Sequence, residues 1–258
     1  MNKNVFKLLK EKKFDELERY ILSNKNLDLD IKDENEDYFI NYVVNLNKIK
    51  FIKFAIKRGA QLDILDGDGK SILHTPIKYN NQEAIDLILK ESKNIIGFPI
   101  TDNQDKNGNT PSHYAVIFNN LSALKKLISN NANLYLKSEE GIDPILLAVQ
   151  NNRINFIKHL LTLNINLEAK NLAGETPLYY SIMYEFNEIS EILLNSYLNL
   201  NVQENINGLA PIHIAVIKGA FNIVQKLIKL GCNINIQDFQ GNTPIHYSIV
   251  EKRINIYN

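Results

Sequence analysis

Apolar residues fall into short blocks at helical spacing along the chain, each closed by a glycine or a turn residue. Residues 208–241 show the arrangement. Pro211 opens a helix, because the first helical position needs no N–H donor. Ala215 and Val216 continue it and Gly219 ends it. Ile223, Val224, Leu227 and Ile228 then recur at three- and four-residue spacing, the mark of one apolar helix face. Gly231 closes that second helix through its tolerance of positive φ. Cys232 follows at a small buried position, and Asn235 and Asp238 lead through a turn to Gly241. The pattern predicts helix, turn, helix and extended loop. Neither helix can bury its apolar face alone, so neighbouring units must stack.

The unit recurs. Gly108-Asn-Thr-Pro-Ser-His113-Tyr-Ala115 is followed by related octets beginning at Gly141, Gly174, Gly208 and Gly241, at steps of 33, 33, 34 and 33 residues. Gly69-Lys-Ser-Ile-Leu-His74 is a degenerate copy 39 residues before Gly108, and Glu36–Val43 keeps only the apolar rhythm. A more divergent unit precedes it. The period and the Thr-Pro-Leu/Ile-His-x-Ala box resemble the ankyrin repeat family, strongly over 105–250 and more weakly over 1–104. The resemblance implies an all-α solenoid of stacked helix-turn-helix units, with β-hairpin loops projecting as fingers from an L-shaped stack. One domain of about seven to eight units is expected over 1–258: a capping unit at 4–35, then 36–68, 69–107, 108–140, 141–173, 174–207, 208–240 and an incomplete 241–258.

Within the box, Thr110, Thr176 and Thr243 are suited to cap the first helix through their hydroxyls, at about 1 kcal/mol each. The resemblance implies that His74, His113, His213 and His246 bond to the cap region and to the next unit's backbone. Asp143 is also a good cap, but Leu146 and Tyr179 stand where the histidine would be, so packing must replace a polar tie there. Ala210 forfeits the capping hydroxyl.

Three departures break the regularity. About six extra residues lie between Lys90 and Asp105, in the 91–104 segment with Ile95, Ile96, Phe98 and Ile100. They are expected to fold over the adjacent helix ends, to form a partner-binding loop, loops on a rigid scaffold being common binding elements, or to act as a local hinge. One residue is inserted near Asn205–Asn207, which is read as neutral because loop lengthening is cheap. The last unit begins a second helix at Arg253–Ile256, which reads as truncation or fraying of the end.

In the family the concave face binds other proteins, and its eighth, eleventh and twelfth unit positions line that face. Transferred here, the eighth positions are Tyr42, Tyr114, Leu147, Tyr180, Ile214 and Tyr247. The central candidate patch is Tyr114, Phe118, Leu147, Tyr180, Met183, Tyr184, Ile214 and Ile217, beside Ile117. An aromatic patch of this kind fits a binding hot spot, and eighth-position residues equally fit packing between successive first helices.

Composition narrows the function. Lys plus Arg and Asp plus Glu are 29 each in 258 residues, which speaks against a general nucleic-acid binder or a polybasic membrane anchor. No run approaches the ~20 apolar residues of a membrane span, and the charged N-terminus is not a secretory signal. A single cysteine, Cys232, gives no disulfide framework and no cysteine-based zinc site. His159 has no second histidine at ligand spacing, and Gly67-Asp-Gly69-Lys70-Ser71 lacks the length and preceding strand of a phosphate loop. No catalytic, metal or cofactor-binding residue is expected. The leading expectation is a non-enzymatic, monomeric, cytoplasmic scaffold that binds one or more proteins. The alternatives are a structural or regulatory segment of a larger protein, or an effector or inhibitor delivered to a host cell to act on a host protein.

Overall fold

The computed structural model describes residues 2–35, 37–96, 100–163, 165 and 167–250, with the side chains of residues 2, 3 and 96 left aside. Contact density divides the chain into two compact units, 1–133 and 134–258.

The first unit holds α1 (Asn2–Lys10), α2 (Phe14–Ser23), α3 (Phe39–Asn45), α4 (Ile49–Lys57), α5 (His74–Lys78), α6 (Gln82–Ile96), α7 (Pro111–Ile117) and α8 (Leu121–Ser129). They form antiparallel pairs in chain order. First helices pack on first helices (α3 on α5, α5 on α7), and second helices on second (α4 on α6, α6 on α8). Leu9, Leu17, Phe39, Ile52, Ile77, Ile85 and Leu124 fill the space between them, all nearly or fully buried.

The second unit repeats the scheme with α9 (Pro144–Gln150), α10 (Ile154–Leu161), α11 (Pro177–Met183), α12 (Asn187–Leu194), α13 (Pro211–Ile217), α14 (Phe221–Lys229) and α15 (Pro244–Val250). Ile145, Val149, Ile157, Ile182, Leu193, Ile212 and Val224 form its core. The helix expected from Arg253 lies outside the described residues.

Each junction has a local cause. Thr110, Asp143 and Thr176 sit in extended backbone before a proline, and their side-chain oxygens accept N–H groups of the first turn. Each first helix stops at a residue forced to positive φ: Asn119, Asn152, Glu185 and Gly219 occupy that place in successive pairs. Asparagine and glycine tolerate it; Glu185 is held there by the fold.

The fingers are not β-hairpins. Among the described residues there is no strand, only the isolated bridges Lys32↔Tyr38 and Leu65↔Ser71. A ladder needs consecutive backbone pairs. The finger at Asp105 closes instead with two backbone bonds at 2.9 Å, Asp105 N–H to Asn109 O and Gly108 N–H to Asp105 O, and its side chain completes the turn. Asp105 Oδ1 accepts the N–H groups of Asn107 (3.0 Å) and Asn109 (2.8 Å), a side-chain turn of the kind Asp favours.

Residues 91–96 of the 91–104 segment continue α6 as helix. α6 runs for 15 residues where α8 has 9. Ser92 is buried and bonds back to Leu89 O, and Ile100 is fully buried while Ile95 is exposed. Phe98 and the Ile96 side chain lie outside the described residues. The insertion at 205–207 is absorbed by Glu204, which stands where Asp33, Asp66, Asp105 and Asp238 stand in other fingers. Its longer side chain accepts from Asn207 N–H at 2.7 Å and Leu209 N–H at 3.0 Å across the lengthened turn.

Candidate functional site

The box residues are consumed by structure. Thr110 N–H donates to His113 Nδ1 at 3.0 Å, and the Thr110 hydroxyl lies 2.9 Å from the same nitrogen. Thr243 and His246 repeat the pair at 3.0 and 2.8 Å. Ala210 keeps its N–H bond to His213 Nδ1 at 3.0 Å but supplies no side-chain cap. Ser71 and His74 reproduce the motif without the proline, and the helix there begins only at His74. Because Nδ1 accepts a backbone N–H, the proton sits on Nε2. That nitrogen donates to the next finger: His74 to Asn109 O at 3.1 Å, His213 to Asn242 O at 3.2 Å. Burial lowers both imidazole pKa values, keeping the rings neutral. Leu146 and Tyr179, in the histidine place, are buried.

A second regularity joins finger to helix. Tyr42, Tyr114 and Tyr247 each donate their hydroxyl to Oδ2 of the aspartate nine residues earlier: Asp33 at 2.7 Å, Asp105 at 3.0 Å, and Asp238. Burial and the carboxylate bond raise the phenol pKa values, those of Tyr42 and Tyr247 to about 12. Burial alone would raise Asp33, but the bonds from Tyr42, Lys10 and two backbone N–H groups outweigh it and hold it at about 2. The Asp-x8-Tyr spacing was the available sequence signal, and reading the box alone misses it.

The candidate patch divides between the two units. In the first, Tyr114 is half-buried, Ile117 is exposed and Phe118 is 40% exposed at the end of α7. Tyr114 meets the His74 ring edge-on at 4.6 Å and Phe118 at 5.7 Å, and Lys78 Nζ lies 5.8 Å from the Phe118 centroid. In the second, Tyr180 stacks on Tyr184 at 4.3 Å, and Tyr184 on Phe186 at 6.2 Å. Tyr184 is 54% exposed; Leu147, Tyr180, Met183 and Ile217 are half-buried. Asn171 replaces the finger aspartate here, which frees Tyr180 to turn to Tyr184; burial and that contact raise its pKa to about 12. Ile214 is 1% exposed and leaves the candidate set. Packed between α11 and α15, an aliphatic side chain has no polar tip to bring it to the finger edge.

Among the described residues, no three His, Cys, Asp or Glu side chains are grouped to hold a metal ion, and no helix is long and apolar enough to cross a membrane. Cys232 is buried, and that burial raises its thiol pKa.

Stacked helix pairs with Thr-Pro-x-His caps and side-chain-closed fingers define a repeat protein, and the chain belongs to the ankyrin repeat family. The profile of ankyrin repeats in three copies matches residues 40–138 and 112–204, and that of many copies matches 193–248. An ankyrin repeat protein of Acanthamoeba polyphaga mimivirus is 32% identical over 256 residues, covering 98% of this chain and 34% of that protein. The chain therefore spans about a third of that relative's length. NF-kappa-B inhibitor alpha of Gallus gallus is 45% identical over 47 residues, 18% of this chain and 14% of its own. The ankyrin repeat domain of Bcl-3 superposes with a TM-score of 0.76 at 18% identity, covering 87% of this chain and 99% of that one, a likeness of fold.

Proposed function

We propose that this chain is a protein-binding scaffold with no catalytic chemistry of its own, contacting its partner through the first-helix ends of each unit. The observation that carries this reading is the exposure of Phe118 and Tyr184. Both follow the last residue of a first helix, both are large aromatics, and both are held by ring contacts rather than by burial. Rigid, half-exposed aromatics are the residue type that dominates binding hot spots. The box histidines, by contrast, are spent on the fold. One relative is by its name an inhibitor of NF-kappa-B, which supports a partner that is itself a protein.

A second reading, action on a host protein after delivery into a host cell, is favoured by the viral source of the long relative. Both readings place the chain in the cytoplasm as a monomer, and light scattering checks the latter.

The test is capture from source and host lysates by the full chain and by Phe118→Ala/Tyr184→Ala, with retained proteins identified by mass spectrometry. A protein held by the first and lost by the second, at matched melting curves, supports the reading. Identical retained sets sink it.

A further inference from the structure

Two asparagines stand directly before a glycine, in Asn107-Gly108 and Asn207-Gly208, and each pair lies at the turn of a finger. Both asparagines are exposed, and neither side-chain amide forms a hydrogen bond among the described residues. Both glycines have φ of +74°, so the two tips share one backbone bend.

The peptide unit inside each pair is bonded in opposite ways. At Gly69, Gly108, Gly141, Gly174 and Gly241 the N–H donates to the carbonyl of the residue three places earlier, at 2.9 or 3.0 Å. Glu204 opens the longer finger four places before Gly208, and among the described residues the Gly208 N–H has no acceptor. The carbonyl oxygens are reversed. Asn207 O accepts the Phe239 N–H at 2.9 Å, whereas Asn107 O accepts no bond among the described residues. The 107–108 peptide is therefore held by its nitrogen and the 207–208 peptide by its oxygen.

That difference bears on how readily the nitrogen gives up its proton. An acceptor on the N–H holds the proton in place. A donor on the carbonyl of the same peptide stabilises the negative charge that moves to oxygen on deprotonation, as an oxyanion-hole donor does. We infer that Asn207 is a site of self-modification, converted to aspartate and isoaspartate by the peptide nitrogen that follows it. The Gly208 nitrogen bonds to Cγ of Asn207, the Cγ–Nδ2 bond breaks, and the displaced nitrogen leaves with the Gly208 proton as ammonia. A water molecule then opens the cyclic imide. Opening at Cγ leaves aspartate, and opening at the main-chain carbonyl leaves isoaspartate. Glycine lacks the Cβ that would hinder the attack. In isoaspartate the oxygen that held Phe239 belongs to a free carboxylate, and the main chain runs on through Cγ. The product carries a new charge beside Glu204, whose Oε1 accepts the Asn207 N–H at 2.7 Å, and an altered seam to the Asp238 finger.

The test ages the full chain at mildly alkaline pH, folded and in guanidinium chloride, and follows aspartate and isoaspartate at both positions by peptide mass spectrometry. In denaturant neither finger exists, so the ratio of the two rates reports neighbouring sequence alone. In the folded chain the ratio of Asn207 to Asn107 should exceed that reference by about fivefold, the scale of one backbone hydrogen bond. Glu204→Asp with Ile206 deleted gives a finger of ordinary length, returns an acceptor to the Gly208 N–H, and should bring the ratio back to the reference. A folded ratio equal to or below the reference overturns the inference, and would show that the Phe239 bond acts by immobilising Asn207. A raised ratio that persists in the folded shortened chain overturns it as well. If the shortened chain does not fold, the ratio in the unaltered chain decides.

Discussion

The Tyr114 hydroxyl donates to Asp105 Oδ2 at 3.0 Å, while the other oxygen of that carboxylate closes the finger on Asn107 and Asn109. One aspartate thus shapes a loop and pins it to the first helix that follows. Tyr114→Phe removes the second task only. It should lower unfolding free energy by about 1–2 kcal/mol, read as a shift of the urea midpoint at unchanged slope. No shift would mean that ring packing alone positions the tyrosine.

Acidification should loosen the stack in two stages. His74 and His213 have pKa values below the ordinary imidazole value, so the unfolded chain binds protons first as pH falls. Their contribution is complete above about pH 6.5 and declines below it, because stability rises with pH wherever the unfolded state holds more protons. Asp33, at about 2 in the folded chain, adds a second loss below about pH 4 as the unfolded carboxylate protonates. Chemical denaturation across pH 3–8, an illustrative range of about five units, checks both stages. His213→Gln should flatten part of the first.

Glu204 spans a finger one residue longer than its neighbours, so its side-chain length is the quantity to vary. Glu204→Asp should cost about 1–3 kcal/mol by stranding turn N–H groups. Deleting Ile206 in that background should recover most of the loss. A deletion that gives no rescue would show that side-chain length and loop length are unrelated here.

Two glycines separate backbone strain from crowding. Gly208 and Gly231 both have positive φ, +74° and +81°. A Cβ at Gly208 would stand 2.5 Å from the Phe239 ring, whereas at Gly231 it meets nothing within 4 Å. Gly231→Ala should therefore cost about 1 kcal/mol, and Gly208→Ala measurably more, by thermal or urea unfolding.

Much of this architecture is legible in the residue pattern. Pro111, Pro177 and Pro211 mark the helix starts, Gly219 and Gly231 the stops, and the apolar faces between them are the observed core. The fingers are not legible in the same way. Most are closed by the side chain that opens the turn, as Asp105 closes its own, and in place of the β-hairpins expected from the repeat pattern the described residues hold only two isolated bridges. The apolar insertion was expected as a folded-back or binding loop, but Lys90-Glu91-Ser92-Lys93 prolongs α6, since these residues include good helix formers. Within the patch, Phe118 and Tyr184 are exposed, but register alone could not separate Tyr114 from Ile214. The first reaches a carboxylate and the second, having no hydroxyl, turns into the core.

His74 and His213 grip the neighbouring finger by a main-chain carbonyl, at Asn109 and Asn242, rather than by any side chain. Every residue type presents that oxygen. A copy can accordingly be duplicated, exchanged or allowed to drift at its receiving edge without loosening the seam, which makes the repeats interchangeable parts and leaves their fingertips at liberty to acquire new specificities.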